Sequence, residues 1–203
     1  MDRKFINQIQ DQIDSAFVAI NYKRPRRSCC YFELSPNVYS WHGMPCDSRG
    51  QEAIYYMLNI GLHFRDIEET ARKYSGLKYK VGEGVTIMES FQTVLGEKYK
   101  LFTFDPEEPE NIKPEIERLI ALIQTHAFLW YERNNNIEVV TEFLRSNVER
   151  LGFYPERYAV ALKMQKQNKV LQEFMEQHSE TVKQYGNDIE QSWINFGNNL
   201  KVT

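Results

Sequence analysis

From Ala53 to Phe64 (AIYYMLNIGLHF) the apolar residues recur at every second position. Ile54, Tyr56, Leu58, Ile60, Leu62 and Phe64 therefore share one face of a β-strand, and Tyr55, Met57, Asn59, Gly61 and His63 share the other. A strand of this length is expected at the centre of an antiparallel sheet, with one apolar face for helices to cover.

Elsewhere in the first half the period varies. Phe5, Ile9, Ile13, Phe17 and Ile20 are spaced by three and four, which predicts a helix over residues 3–20 that stops near Asn21. Pro25, in YKRPRR, has no N–H to give a ladder and marks a turn or edge position ahead of a strand from Cys29 to Leu34. Ser35-Pro36-Asn37 reads as a turn, with Val38 to Trp41 returning as a hairpin partner. His42 to Gly50 reads as a loop. Asp66 and Glu69 have the spacing of a capping box, which predicts a short helix from Ile67 to Tyr74, closed by Gly76. Val85 to Leu95 and Leu101 to Phe104 are rich in β-branched and aromatic residues and predict further strands.

After the acidic turn at 105–110 the spacing becomes helical throughout. One stripe runs through Ile116, Leu119, Ile120, Ile123, Ala127 and Trp130. A second helix, opened by Asn135 and Glu138 and ended by Gly152, buries Val140, Leu144, Val148 and Leu151. Pro155 opens a third that carries Tyr158, Leu162, Val170, Leu171, Phe174 and Met175. The final stripe is Val182, Tyr185, Ile189, Trp193 and Phe196, and the sequence leaves open whether residues 155–203 form one helix or two. Strands first and helices afterwards predict an α+β fold: an antiparallel sheet of four to five strands, with an N-terminal helix and a C-terminal helical half packed on one face. We read residues 1–203 as a single domain, with helix and sheet in 1–105 and the helical half in 111–203.

Composition narrows the class. Charged residues are 26% and hydrophobic residues 42% of the 203, ordinary for a folded globular chain. A net charge of −3 gives no global attraction to nucleic acid or anionic membranes. Cys29, Cys30 and Cys46 form no even disulfide framework, which favours a reducing compartment. The N-terminus lacks a signal-peptide apolar region, and no run reaches the about 20 apolar residues of a membrane span. The expected location is the cytoplasm, without membrane attachment.

Candidate chemistry is sparse. His42, Cys46 and His63 supply ligand types that suit zinc, and Cys46 near His42 and Arg49 has the makings of an activated thiolate. No CxxC pair or HExxH helix supports either, so no metal, cofactor or catalytic residue is assigned. Lys23, Arg24, Arg26 and Arg27, beside Tyr22, Tyr31 and Phe32, could hold phosphates while bases stack, but such clusters more often guard an edge strand. Glu107, Glu108, Glu110, Glu115 and Glu117 flank prolines and a helix start, where solvated negative charge is favoured. Aromatics are 13% of the chain, and Tyr39-Ser40-Trp41-His42 would be a binding feature if exposed.

The N-terminal helix running into Asn21-Tyr22-Lys23-Arg24, the strand with Asn59-Ile60-Gly61-Leu62, and Thr125-His126-Ala127-Phe128-Leu129 in a helix together resemble bacterial α+β domains of the domain-of-unknown-function 4304 type. The resemblance covers residues 3–150; the HGMPCD loop and the long C-terminal helical extension depart from it. It implies a fold and a bacterial origin and brings no catalytic residues.

The leading expectation is a non-catalytic binding or interaction protein, immunity-like or regulatory, with a protein partner and binding candidates at Lys23, Arg24, Arg26, Arg27, Tyr39, Trp41, His42, Cys46 and His63. A metal- or cysteine-dependent hydrolase centred on His42, Cys46 and His63 is the alternative, followed by a nucleic-acid binder using the basic cluster. The chain is expected to be a monomer, or a dimer through its final helices.

Overall fold

Helix α1 (Arg3–Ala19) carries the predicted stripe, with Ile9, Ile13 and Phe17 fully buried. It closes as a Schellman motif: Tyr22 N–H donates to Phe17 C=O, Asn21 N–H donates to Val18 C=O, and Asn21 adopts φ 68°. The structure is a computed structural model that describes residues 3–26, 29–43, 46–47, 53–82, 84–149 and 154–200, apart from the side chains of Arg26, Cys46 and Asp47.

Strand β1 (Lys23–Arg26) pairs antiparallel with β2 (Cys29–Ser35), and β2 with β3 (Val38–Gly43), in a register that sets Cys30 against His42 and Tyr31 against Trp41. Pro25 sits on the edge strand β1, as its missing donor requires. Within the loop expected over 42–50, His42 and Gly43 complete β3 and Cys46–Asp47 form the short strand β4; the other positions lie outside the described residues.

The long strand expected over 53–64 is two strands. β5 (Ile54–Tyr56) pairs with β4, and after Met57 and Leu58 the chain re-enters strand geometry as β6 (Asn59–Phe64) in a different sheet. At the break, Leu58 C=O accepts from Phe91 N–H at 2.9 Å. The alternation holds through it, with Ile54, Tyr56, Leu58, Ile60 and Leu62 all buried. Helix α2 (Arg65–Tyr74) starts before the predicted cap: Phe64 occupies the N-cap without a side-chain bond, and Asp66 lies in the first turn.

Strand β7 (Ile87–Ser90) also ends earlier than expected. Ser90 Oγ accepts from Thr93 N–H at 3.1 Å and starts α3 (Phe91–Leu95), so the second half of the predicted strand is helical. β8 (Phe102–Phe104) follows as predicted. Helices α4 (Ile112–Leu122) and α5 (Phe128–Asn134) are joined by a π-helical turn, Ile123–Ala127. That turn takes up one extra residue, so Tyr131, not the expected Trp130, continues the buried line of Ile116, Leu119, Ile123 and Ala127.

The chain gathers into two compact units, residues 1–63 with 88–134 and residues 64–87 with 135–203. In the first, the strand orders are β1-β2-β3-β6-β7 in a five-stranded sheet and β4-β5-β8 in a three-stranded one. β5 and β8 run antiparallel with Tyr55 opposite Thr103. α1 packs on β1, β2 and α4, and α4 packs on β8. This is the α+β architecture read from the sequence.

The second unit assembles α2 with α6 (Ile137–Arg145), α7 (Tyr154–Met164), α8 (Asn168–Val182) and α9 (Asn187–Leu200). The N-cap of α6 is Asn136, one residue after the expected Asn135, and its side chain accepts from Glu138 N–H at 2.8 Å. α6 ends at Arg145 with Ser146 as its C-cap, ahead of the predicted stop at Gly152, which itself lies outside the described residues. α7 packs against α2, α6 and α8, and every residue from Arg157 to Leu162 is buried. The helix predicted from Pro155 through Met175 is interrupted: Gln167 N–H donates to Leu162 C=O, Lys166 N–H donates to Lys163 C=O, and Lys166 takes φ 57° in a second Schellman closure. A further break at Gly186, φ 103°, precedes α9. Among the described residues, no helix is long and apolar enough to cross a membrane.

Candidate functional site

His42 is wholly buried at the end of β3. Its Nε2 lies 2.9 Å from Tyr22 Oη and 3.0 Å from Tyr131 Oη, so either neutral tautomer has a phenol to pair with. Burial lowers its pKa to about 3 and raises that of Tyr22 to about 12, and it pushes Tyr131 well up. Burial also drives Cys30 to about 12, helped by Asp14 and Cys29 and opposed by Arg24. These groups are neutral at physiological pH. Phe17 covers the imidazole at 5.1 Å between ring centroids.

Among the described residues, the other sequence candidates do not converge on a reaction centre. His63 is buried on β6 with Tyr39 edge-on at 5.7 Å. Cys46 lies on β4, and its side chain is outside the described residues. Among the described residues, no group of three or more His, Cys, Asp or Glu could hold a metal ion. Tyr39, Ser40, Trp41 and His42 are all buried, so they form core and no exposed aromatic patch. Arg24 is held by Asp14 at 2.8 Å and by Asp11 at 3.6 Å. Lys23 is exposed, while Arg27 and the Arg26 side chain lie outside the described residues. Glu115 pairs with Arg118 at 2.7 Å and Glu108 accepts from Asn111, which leaves the acidic run a hydrogen-bonded surface.

Glu68 and Arg157 form a buried ion pair, joined by the Thr86 hydroxyl, which donates to Glu68 Oε1 at 2.9 Å and accepts from Phe64 N–H at 2.9 Å. Gly84 passes so close that a Cβ there would meet Arg72 Nη2 and Glu68 Oε2 at 2.9 Å each. This network ties α2 to α7 through charge-assisted hydrogen bonds.

Among the described residues, two open spaces stand out. A shallow groove of about 870 Å³ between α1 and α4 is lined by polar residues of mixed charge, including Lys4, Asp11, Lys113 and Glu117. The deeper space, about 890 Å³, lies among α7, α8 and α9. Its aromatic wall is Tyr158, Phe174, His178 and Trp193. The i,i+4 spacing on α8 stacks Phe174 on His178, with centroids 5.5 Å apart and planes 23° apart. Tyr158 meets Phe174 edge-on at 4.8 Å, and Trp193 meets His178 at 4.6 Å. Trp193 Nε1 donates to Ser179 Oγ at 3.1 Å, and Ser179 Oγ donates to Met175 C=O, which fixes the indole. Phe174 and His178 stay half-buried, with Val170, Tyr185 and Ile189 exposed beside them.

No family model, curated protein or solved structure matches the chain. The functional reading therefore rests on the cavity itself. Burial lowers the His178 pKa, so the ring adds neutral aromatic surface, and burial raises that of Glu156 at the cavity wall. A fixed aromatic wall with polar groups at its margin can seat a small molecule with an apolar body. The sequence stripes did contain Tyr158, Phe174 and Trp193, but as core; nothing in their spacing separates a wall from an interior.

Proposed function

We propose that this chain is a non-catalytic binding protein whose ligand sits in the cavity among α7, α8 and α9. The observation that carries the reading is the locked wall of Tyr158, Phe174, His178 and Trp193 beside about 890 Å³ of open space. That volume is within the range of small-molecule sites, and the exposed Val170, Tyr185 and Ile189 give an incoming apolar body surface to cover. Cys30 is a buried free thiol, which fits a protein of the reducing cytoplasm.

A screen of small aromatic compounds against the isotopically labelled full chain tests this by chemical-shift mapping. Shifts concentrated on the Trp193 indole and on Phe174, His178 and Ile189 are the expected result. Binding that shifts only residues of α1 and α4, or no binding at all, would overturn it.

A further inference from the structure

The cavity's charge narrows its occupant. Among the described residues, its lining holds the carboxylates of Glu149, Glu156, Glu173 and Asp188 against one guanidinium, that of Arg145. Arg145 is already engaged, donating to Glu142 at 2.6 Å. Among the described residues only a distant contact answers Glu173, from exposed Lys169 at 3.9 Å, and Glu149 and Asp188 have no ion pair. The carboxylates come from four places in the sequence, the segment after α6 and the helices α7, α8 and α9. Acidic side chains on one helix commonly face water, but these four border the same apolar space.

The aromatic side of the cavity favours the same sign of charge. Phenyl, phenol and indole rings carry negative faces that attract an ammonium or guanidinium within about 6 Å, by about 0.5–1 kcal/mol when exposed and more when dry. An anion would meet repulsion from both the carboxylates and the rings. A neutral body would gain the apolar contact alone.

Resting on the binding reading above, we propose that the ligand is a small organic cation. Its apolar or aromatic body lies on Phe174, Tyr185 and Ile189, and its ammonium or guanidinium group lies among Glu173, Asp188 and Glu156. Attraction to partly solvated carboxylates is screened by salt, so affinity falls as ionic strength rises.

Calorimetric titration of the full chain with three probes that share one ring system tests this: 2-naphthylmethylammonium, 2-naphthylmethanol and 2-naphthoate. The ammonium probe is expected to bind at least about tenfold tighter than the alcohol, matching about 1.4 kcal/mol, with naphthoate weakest. The exposed pair Glu173→Gln/Asp188→Asn should remove that preference, so that ammonium and alcohol bind alike. Ile189→Arg, at a residue 49% exposed, should abolish binding of all three probes. Equal binding of ammonium and alcohol, or tightest binding of naphthoate, would overturn the cation assignment while the cavity reading stands. Failure of all three probes to bind would overturn both.

Discussion

Arg157 and Glu68, 89 residues apart in sequence, meet in a two-point fork: Arg157 Nε donates to Oε1 at 2.6 Å and Nη2 donates to Oε2 at 3.1 Å. Both side chains are buried, so removing one leaves the other's charge without its principal partner in a poorly solvated place. Arg157→Leu is expected to lower the unfolding free energy by about 3–5 kcal/mol. Arg157→Lys, which keeps the charge and loses the fork, should recover only part of it. Urea unfolding of the variants, with Glu68→Met/Arg157→Met as the paired control, checks this; a single variant as stable as the parent would refute it.

His42 predicts an acid-sensitive first unit. Its pKa falls from an ordinary 6.5 to about 3 on folding, so between those values the unfolded chain binds more protons. Stability is therefore full above pH 6.5 and declines as pH falls toward about 3, with His42 contributing up to about 5 kcal/mol of the loss. His42→Phe should flatten the decline between pH 6.5 and 4 relative to the parent. Denaturant midpoints across that window measure the slope, and identical slopes would discard the idea.

Gly43 and Trp41 share one space on β3. A Cβ at Gly43 would fall inside the Trp41 indole, against its Cη2. Gly43→Ala should cost about 1–3 kcal/mol and alter the near-ultraviolet dichroism of the tryptophan. Combined with Trp41→Leu, the same change should cost less than the sum of the two alone.

Ser90 converts a strand into a helix by accepting from Thr93 N–H. Ser90→Ala should destabilise the protein by about 1 kcal/mol, and Ser90→Asp should not. Thermal unfolding of the two variants compares them directly.

Helix ends show how far the sequence was legible. α1, α2 and α7 all close with a residue in the left-handed region, Asn21, Gly76 and Lys166. Asparagine and glycine announce that conformation, and both stops were readable; lysine does not, and the break between α7 and α8 was invisible. The β2–β3 hairpin was equally plain, because proline and asparagine sit in its turn. The split at Met57-Leu58 was hidden because Leu58 stays buried and keeps the two-residue period through the gap. The candidate site was not legible at all. His42 looked like a loop ligand because its phenol partners, Tyr22 and Tyr131, are distant in sequence. The cavity depends on exposure, a property of packed helices that spacing does not encode.

The π-helical turn at Ile123–Ala127 amounts to a spare residue carried by the chain. Its exposed positions are Gln124, Thr125 and His126, and everything after them is advanced by one place relative to a regular helix. A chain shortened by Thr125 would form an unbroken α-helix, and Tyr131 would still arrive opposite His42. A full-length chain wound regularly would deliver the Trp130 indole there and leave the imidazole short of a hydroxyl. The segment thus tolerates a deletion better than a straightened helix.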